Sequence, residues 1–111
     1  MIIVRTTLST LPEKQKEVMQ TLLSMIELPA NDGGLLSYGV FHDIDDITVF
    51  KLTSEWESRK HVNAHLNSER FGILLGINSL LCKPIDVQIL SVSHVEGMDA
   101  VRKTRSQAKE E

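Results

Sequence analysis

Residues 35–56 read LLSYGVFHDIDDITVFKLTSEW, and this stretch decides the fold. Side chains alternate between two faces over residues 35–43 and again over residues 47–56, which is the period of a β-strand. The acidic turn between them, residues 43–46, is short enough to join two antiparallel strands. The stretch therefore predicts a β-hairpin in the middle of the chain.

Two more strands are predicted outside this hairpin. Residues 1–9 are rich in β-branched side chains, which favour strands. Their alternation divides them into one face with Ile2, Val4, Thr6 and Leu8 and another with Ile3, Arg5 and Thr7. Residues 85–94 follow a proline and alternate in the same way. The chain therefore contains four predicted strands.

Helical regions separate the outer strands from the hairpin. Residues 10–13 (TLPE) have the pattern of a capping box with proline in the first turn. The apolar stripe of the helix that follows consists of Leu11, Val18, Met19, Leu22, Leu23 and Ile26. Leu28-Pro29 ends this helix, and a turn at residues 31–34 leads into the hairpin. After the hairpin, Ser58 and Ser68 are predicted to cap two short helices.

The resulting order, β-α-β-β-α-β, predicts an α+β fold of the ferredoxin-like type, with a four-stranded antiparallel sheet and helices on one face. The other face is predicted to carry apolar side chains of the kind of Ile3, Phe41, Phe50 or Leu52. Such a face must be covered. A second copy of the chain is the most economical cover, so we expect a homodimer that forms a dimeric α+β barrel.

Length and charge restrict the classes of protein that remain. The 111 residues suit one domain, which we place at residues 1–95. Residues 96–111 form a polar tail, expected to be frayed or docked on a partner because it lacks the apolar surface to order itself. The formal net charge of −3 gives no reason to expect a nucleic-acid partner, since binding phosphates needs a surplus of Lys and Arg.

The remaining composition predicts a cytoplasmic protein with no membrane partner. No window is long and apolar enough to span a bilayer, and Arg5 interrupts the only apolar run near the first residue, so no signal peptide is expected. The single cysteine, Cys82, allows no intrachain disulfide, which is compatible with a reducing compartment.

Several short motifs then occur in a characteristic order: residues 34–38 (GLLSY), Asp43, residues 55–58 (EWES), and residues 65–68 (HLNS) followed by Phe71. From Met1 to about Val92 the chain resembles antibiotic biosynthesis monooxygenase domains, in which a Gly-x-x-x-Tyr strand, a Glu-Trp strand end and a His-Leu helix recur at comparable spacing. The resemblance implies a dimeric α+β barrel that oxidises quinols or polycyclic phenols with molecular oxygen and without a cofactor. We therefore expect no tightly bound cofactor.

A heme-degrading branch of the same family has a different pattern. It carries a helical histidine, an asparagine in the first strand and a tryptophan in the preceding helix, where this chain has Leu75, Val4 and His65. The departures at all three positions argue against heme chemistry.

An oxygenase of this kind needs a base, hydrogen-bond donors for the substrate anion, and apolar walls. His65 is the first candidate for the base, because the unperturbed pKa of histidine is about 6.5. Trp56 and Tyr38 complete the candidate catalytic set, since each combines a large ring with a donor. The candidate substrate-binding residues are Arg5, His42, Phe50 and Phe71.

Each candidate also has a purely structural interpretation. The histidines suit a core or surface position, and the aromatic residues suit the core. Arg5 suits an ion pair with Glu55 or Asp86, which we favour over an interaction with substrate. Glu57, His61 and His65 have the spacing of a metal half-site but need a ligand from another element, so no metal is expected. At the level of function, a non-catalytic dimeric small-ligand-binding module and an isomerase of a small oxo-compound remain alternatives.

Overall fold

A computed structural model describes residues 1–26 and 33–110, with side chains described to residue 108. The predicted helix end at Leu28-Pro29 and the first two residues of the predicted turn, 31 and 32, lie outside the described residues. In chain order the elements are β1 (Ile2–Ser9), a 3-10 helix (Pro12–Lys14), α1 (Gln15–Ile26), β2 (Leu35–His42), β3 (Val49–Trp56), α2 (Arg59–Leu66), α3 (Glu69–Gly76), a second 3-10 helix (Ile77–Leu80), β4 (Asp86–Ser91) and α4 (Met98–Glu110).

The four strands form one antiparallel sheet in the order β2-β3-β1-β4. The two central strands pair over their whole length, from Ile2 opposite Trp56 to Ser9 opposite Val49. The order of strands and helices confirms the predicted ferredoxin-like α+β fold, in which the hairpin β2–β3 adds to the edge of β1.

One face of the sheet lies under the helices. Its buried side chains are Val4, Thr6 and Leu8 of β1 and Phe50, Leu52, Ser54 and Trp56 of β3. The assignment of Phe50 and Leu52 to the other face is therefore wrong. The register explains this, because Phe50 lies opposite Leu8 and shares its face.

The opposite side, which we call the open face, also carries apolar side chains. Ile3 and Leu90 lie opposite each other on it and are half-buried, while Phe41 is 59% exposed. The Phe41 ring lies over Gly39, where an added Cβ would lie 2.9 Å from the ring. An open face with these side chains agrees with the predicted need for a cover.

Helix α1 differs from its prediction in two respects. It buries Val18, Leu22 and Met25, while the predicted stripe members Leu23 and Ile26 are 52% and 49% exposed. No capping box forms, because Thr10 belongs to a β-bridge with Leu81 and its buried hydroxyl has no hydrogen-bond partner among the described residues. A 3-10 turn precedes the helix instead, and the helix begins at Gln15 with a different rotation.

The two short helices after β3 begin at the predicted serines. The Phe71 amide donates to Ser68 Oγ at 3.2 Å at the start of α3, which confirms that cap. Ser58 occupies the same position before α2 without accepting a backbone N–H. Its hydroxyl bonds instead with His61 Nδ1 at 2.7 Å, so this serine fixes a side chain.

The tail is helical, and the prediction that it frays is therefore corrected. Helix α4 consists largely of residues with good helix propensity, and Arg102 pairs with Asp99 one turn earlier at 3.2 Å. Docking on a partner stays a prediction. None of the described helices is long and apolar enough to cross a membrane.

Candidate functional site

A small cavity lies between the covered face of the sheet and the helices. It leaves about 10 Å³ for the centres of water-sized molecules, which is room for about one water. Its walls are Val4, Thr6, Met25, Tyr38, Leu52, Ser54, His65, Arg70, Phe71 and Leu74. Polar groups from three strands and two helices thus meet inside an otherwise apolar wall.

His65 is the buried base candidate of this cavity. Helix α2 turns Val62 and His65 to the same buried face, at a spacing of three residues, and His65 is only 5% exposed. Its ring lies 4.6 Å from the ring of Trp56, tilted by 33°, and 5.3 Å edge-on from that of Phe71. The imidazole is therefore held between two aromatic rings in a defined orientation.

Trp56 supports the cavity through its neighbour Ser54. The indole Nε1–H donates to Ser54 Oγ at 2.8 Å. Because an indole can only donate, the serine oxygen is the acceptor and the hydroxyl hydrogen is left for another acceptor. Ser54 lines the cavity and is 3% exposed. The tryptophan thus orients a hydroxyl donor that reaches the cavity wall.

Tyr38 and Arg70 form the solvent side of the cavity, since both are half-buried. The guanidinium carbon of Arg70 lies 5.6 Å from the centre of the Tyr38 ring, which is a cation–π distance. Burial raises the pKa of the Tyr38 phenol above its ordinary value of 10.0, while the positive charge of Arg70 acts in the opposite direction. Tyr38 is therefore a neutral hydrogen-bond donor at neutral pH.

The titration of Tyr38 is directly measurable because it is the single tyrosine of the chain. We expect its pKa, read from the ultraviolet absorbance of the phenolate, to lie above 10.0. Arg70→Gln is expected to raise it further, because the mutation removes a cation that stabilises the phenolate. Lys103→Gln, which removes an exposed cation on helix α4, is the matched control and should leave it unchanged.

The same titration has a consequence for stability. Folding favours the neutral phenol of Tyr38, so its burial contributes fully to the free energy of unfolding below the ordinary pKa of 10.0. This contribution is lost as the pH rises from there through the folded-state pKa. A Tyr38 pKa at or below that of the denatured chain would contradict the buried environment.

The other predicted site residues lie away from this cavity. Arg5 projects from the open face and is exposed. Within residues 1–26 and 33–108 it makes no ion pair, so the expected pair with Glu55 or Asp86 is not formed there. His42 stacks on Phe50 at 4.4 Å and 7° near the hairpin turn, and the described cavity wall includes neither of them.

Three polar wall residues are missing from the sequence-based set: Thr6, Ser54 and Arg70. Thr6 and Ser54 could have been identified from the sequence, because each is a polar residue on a strand face that is otherwise apolar. No sequence pattern identifies Arg70 as a wall residue, since a charged residue at the start of a helix normally faces water.

The three residues with the spacing of a metal half-site do not share one helix. Glu57 precedes α2, which begins at Arg59, so only His61 and His65 share the helix. His61 bonds with Ser58 and packs against Gly34. The described part of the chain contains no group of three or more His, Cys, Asp or Glu side chains that is placed to hold a metal ion.

Comparisons with known proteins agree with this geometry at the level of the fold. A candidate antibiotic biosynthesis monooxygenase from Deinococcus radiodurans has a TM-score of 0.77 at 19% identity and covers 87% of this chain and 97% of its own. One from Nitrosomonas europaea has a TM-score of 0.76 at 17% identity, with coverages of 85% and 100%. One from Caulobacter crescentus CB15 has a TM-score of 0.73 at 20% identity, with coverages of 84% and 90%.

Sequence comparison gives the family itself. No curated protein matches the chain. The family model described as antibiotic biosynthesis monooxygenase matches residues 1–72, which include β1 to α2, the cavity residues His65, Arg70 and Phe71, and most of the sheet. The chain therefore belongs to the antibiotic biosynthesis monooxygenase family.

Proposed function

We propose that this protein is a homodimeric monooxygenase that oxidises a quinol or a related small aromatic with molecular oxygen. The observation that supports the proposal is the convergence of one buried histidine, His65, with the hydroxyl donors Tyr38 and Ser54 on an apolar cavity. A base that lies beside oriented hydrogen-bond donors, in a cavity with apolar walls, favours the formation of a substrate anion.

In the proposed reaction, His65 accepts the phenolic proton of the substrate. Ser54 and Tyr38 donate hydrogen bonds to the resulting oxyanion, and Arg70 adds a positive charge at the solvent side. The anion then passes an electron to oxygen and the two recombine. One naphthoquinol and one O₂ yield one hydroxylated naphthoquinone and one water. The quinol itself supplies all the electrons, so no external reductant is needed.

An aromatic substrate needs more room than the cavity offers. The described wall holds about one water, so binding requires side chains to move apart. Tyr38 and Arg70 are the half-buried members of the wall, so they can move toward solvent without opening the core. We propose that these two side chains separate when substrate enters.

The proposed homodimer forms through the open face. Phe41 is 59% exposed there, and Ile3, Val49 and Leu90 share that side of the sheet. Packing this face on a second copy removes the exposed apolar surface from water, as in other sheet-on-sheet contacts. The proposed location is the cytoplasm.

Oxygen uptake tests the proposed reaction. With a chemically reduced naphthoquinol, the wild-type protein is expected to consume oxygen faster than the protein-free solution. His65→Gln is expected to lower the catalysed rate about 10²-fold, because the general base is lost. The matched control is His94→Gln, since the His94 side chain is 72% exposed and outside the cavity.

Two outcomes would count against the proposal. Binding of the quinol with no oxygen consumption above background would favour the non-catalytic ligand-binding module. An unchanged rate in His65→Gln, with the fold intact by circular dichroism, would remove His65 from the role of base.

A further inference from the structure

Helix α4 presents an apolar face that its own domain leaves uncovered. Met98 and Val101 are 61% and 49% exposed, and Arg105 and Ala108 continue the same face at helical spacing. We call these four residues the α4 stripe. Every described side chain of α4 except Ala100 is exposed. A helix of 13 residues is marginal in water without tertiary contacts, so the stripe needs a partner surface.

The turn of the β2–β3 hairpin is a second uncovered apolar surface. Ile44 is 95% exposed and Ile47 is 61% exposed. The turn around them is fixed, because Asp43 Oδ1 accepts from the amides of Asp45 and Asp46 at 2.9 Å each. Hydrogen bonds from Thr48 lower the pKa of the Asp46 carboxyl, which keeps that charge negative. The turn therefore presents two isoleucines among three carboxylates.

The two surfaces are complementary in charge as well as in polarity. The sequence of α4 has a surplus of bases, with two acids, Asp99 and Glu110, against four bases, Arg102, Lys103, Arg105 and Lys109. Residues 43–46 carry three acids and no base. Pairing α4 with a second α4 would bring like charges together, whereas the hairpin turn offers opposite charge.

Helix α4 leaves the hairpin turn of its own chain uncovered, since Ile44 is 95% exposed and Ile47 is 61% exposed. Strand β4 ends at Ser91, beside Ile2 and the Trp56 end of β3. The turn lies at the other end of β3, about 23 Å away at strand rise. The linker, residues 92–97, spans at most about 25 Å between Ser91 and Met98, so its length alone does not keep α4 from this turn. An α4 packed on its own turn would bury Ile44 and Val101, and both are exposed, so this contact is not made within one chain.

We infer that α4 of one subunit docks its stripe on the β2–β3 turn of a second copy, with Met98 and Val101 on Ile44 and Ile47 and with Arg105 toward the carboxylates. The inference rests on the proposed homodimer and adds a reciprocal contact to it. Each subunit then gives one helix and receives one, as closed two-fold symmetry requires.

Disulfide trapping tests this contact. In a Cys82→Ser background, which removes the exposed native thiol, Ile44→Cys is combined with Val101→Cys. Mild oxidation is expected to give a covalent dimer on a non-reducing gel, at several times the yield of a matched pair that combines Ile44→Cys with Lys103→Cys. Lys103 lies about 200° around the helix from Val101. Equal yields in the two pairs, or an intrachain bond, would overturn the docking.

A charge exchange gives a second readout, and light scattering separates the two proposals. Arg105→Glu is expected to reduce the trapped dimer several-fold, and Asp45→Lys in the same chain is expected to restore it. A two-subunit mass in solution without preferential trapping would overturn the docking and leave the homodimer standing. A monomer at micromolar concentration that also fails to cross-link would overturn both.

Discussion

Trp56→Ala is expected to lower the free energy of unfolding by about 4 kcal/mol, since truncation of a buried Trp leaves a large cavity. Trp56 is only 1% exposed and packs with Val4 and Val62. The melting temperature should fall by roughly 15 °C for a domain of this size. Chemical denaturation followed by circular dichroism measures the change, and a loss below about 1 kcal/mol would contradict the packing described here.

Trp56→Phe is the matched control, because it keeps an aromatic ring beside His65 but removes the N–H that donates to Ser54. Its cost in stability should be clearly smaller, about 1 to 2 kcal/mol, since most of the apolar volume remains. If oxygen uptake is present in the wild type, this variant should still lower it, because the Ser54 hydroxyl is no longer oriented by the indole. Equal stability losses in the two variants would show that the hydrogen bond, and not the ring, dominates at this position.

Gly34→Ala is expected to destabilise the fold by about 3 kcal/mol, the sum of backbone strain and a steric clash. Gly34 has a φ of 81°, which a side chain rarely adopts. An added Cβ would also collide with the His61 ring, which is held in place by Ser58. The Gly34 carbonyl accepts the Glu57 amide at 2.9 Å, so this backbone cannot shift without breaking a bond next to α2.

A double mutant separates the two causes. In a His61→Ala background, Gly34→Ala should cost only about 1 kcal/mol, because the collision is gone and the strain remains. Gly72→Ala is the matched control: it lies inside α3 with nothing within 4 Å of an added Cβ, and it should stabilise by about 0.5 to 1 kcal/mol. A Gly34→Ala variant as stable as the wild type would contradict the close approach of His61.

The sheet is predictable from the sequence because one of its faces is buried and the side-chain period of a strand is two. In β3 this rule groups Phe50, Leu52 and Trp56 on one face, and the structure places that face under the helices and not on the open face predicted for Phe50 and Leu52. The rotation of α1 is less predictable. Its stripe contains more apolar residues than the core needs, so the sequence does not distinguish Met25 from Leu23.

The candidate site is also predictable from the sequence only in part. Tyr38, His65 and Phe71 are predicted from motifs along the chain and line one cavity. Two arginines show which part of the site cannot be predicted from the sequence. Arg5 stands out because it interrupts an apolar strand, yet it projects from the open face, whereas Arg70 lines the cavity. Which cation reaches the cavity depends on how α3 packs, and that is a property of the assembled fold.

The contact between the Trp56 and His65 rings gives the protein an intrinsic fluorescent probe at its candidate site. Trp56 is the single tryptophan, so all indole fluorescence of the chain originates 4.6 Å from this imidazole. A ligand that shifts either ring therefore changes the emission of the unlabelled protein, and this signal needs no knowledge of the natural substrate.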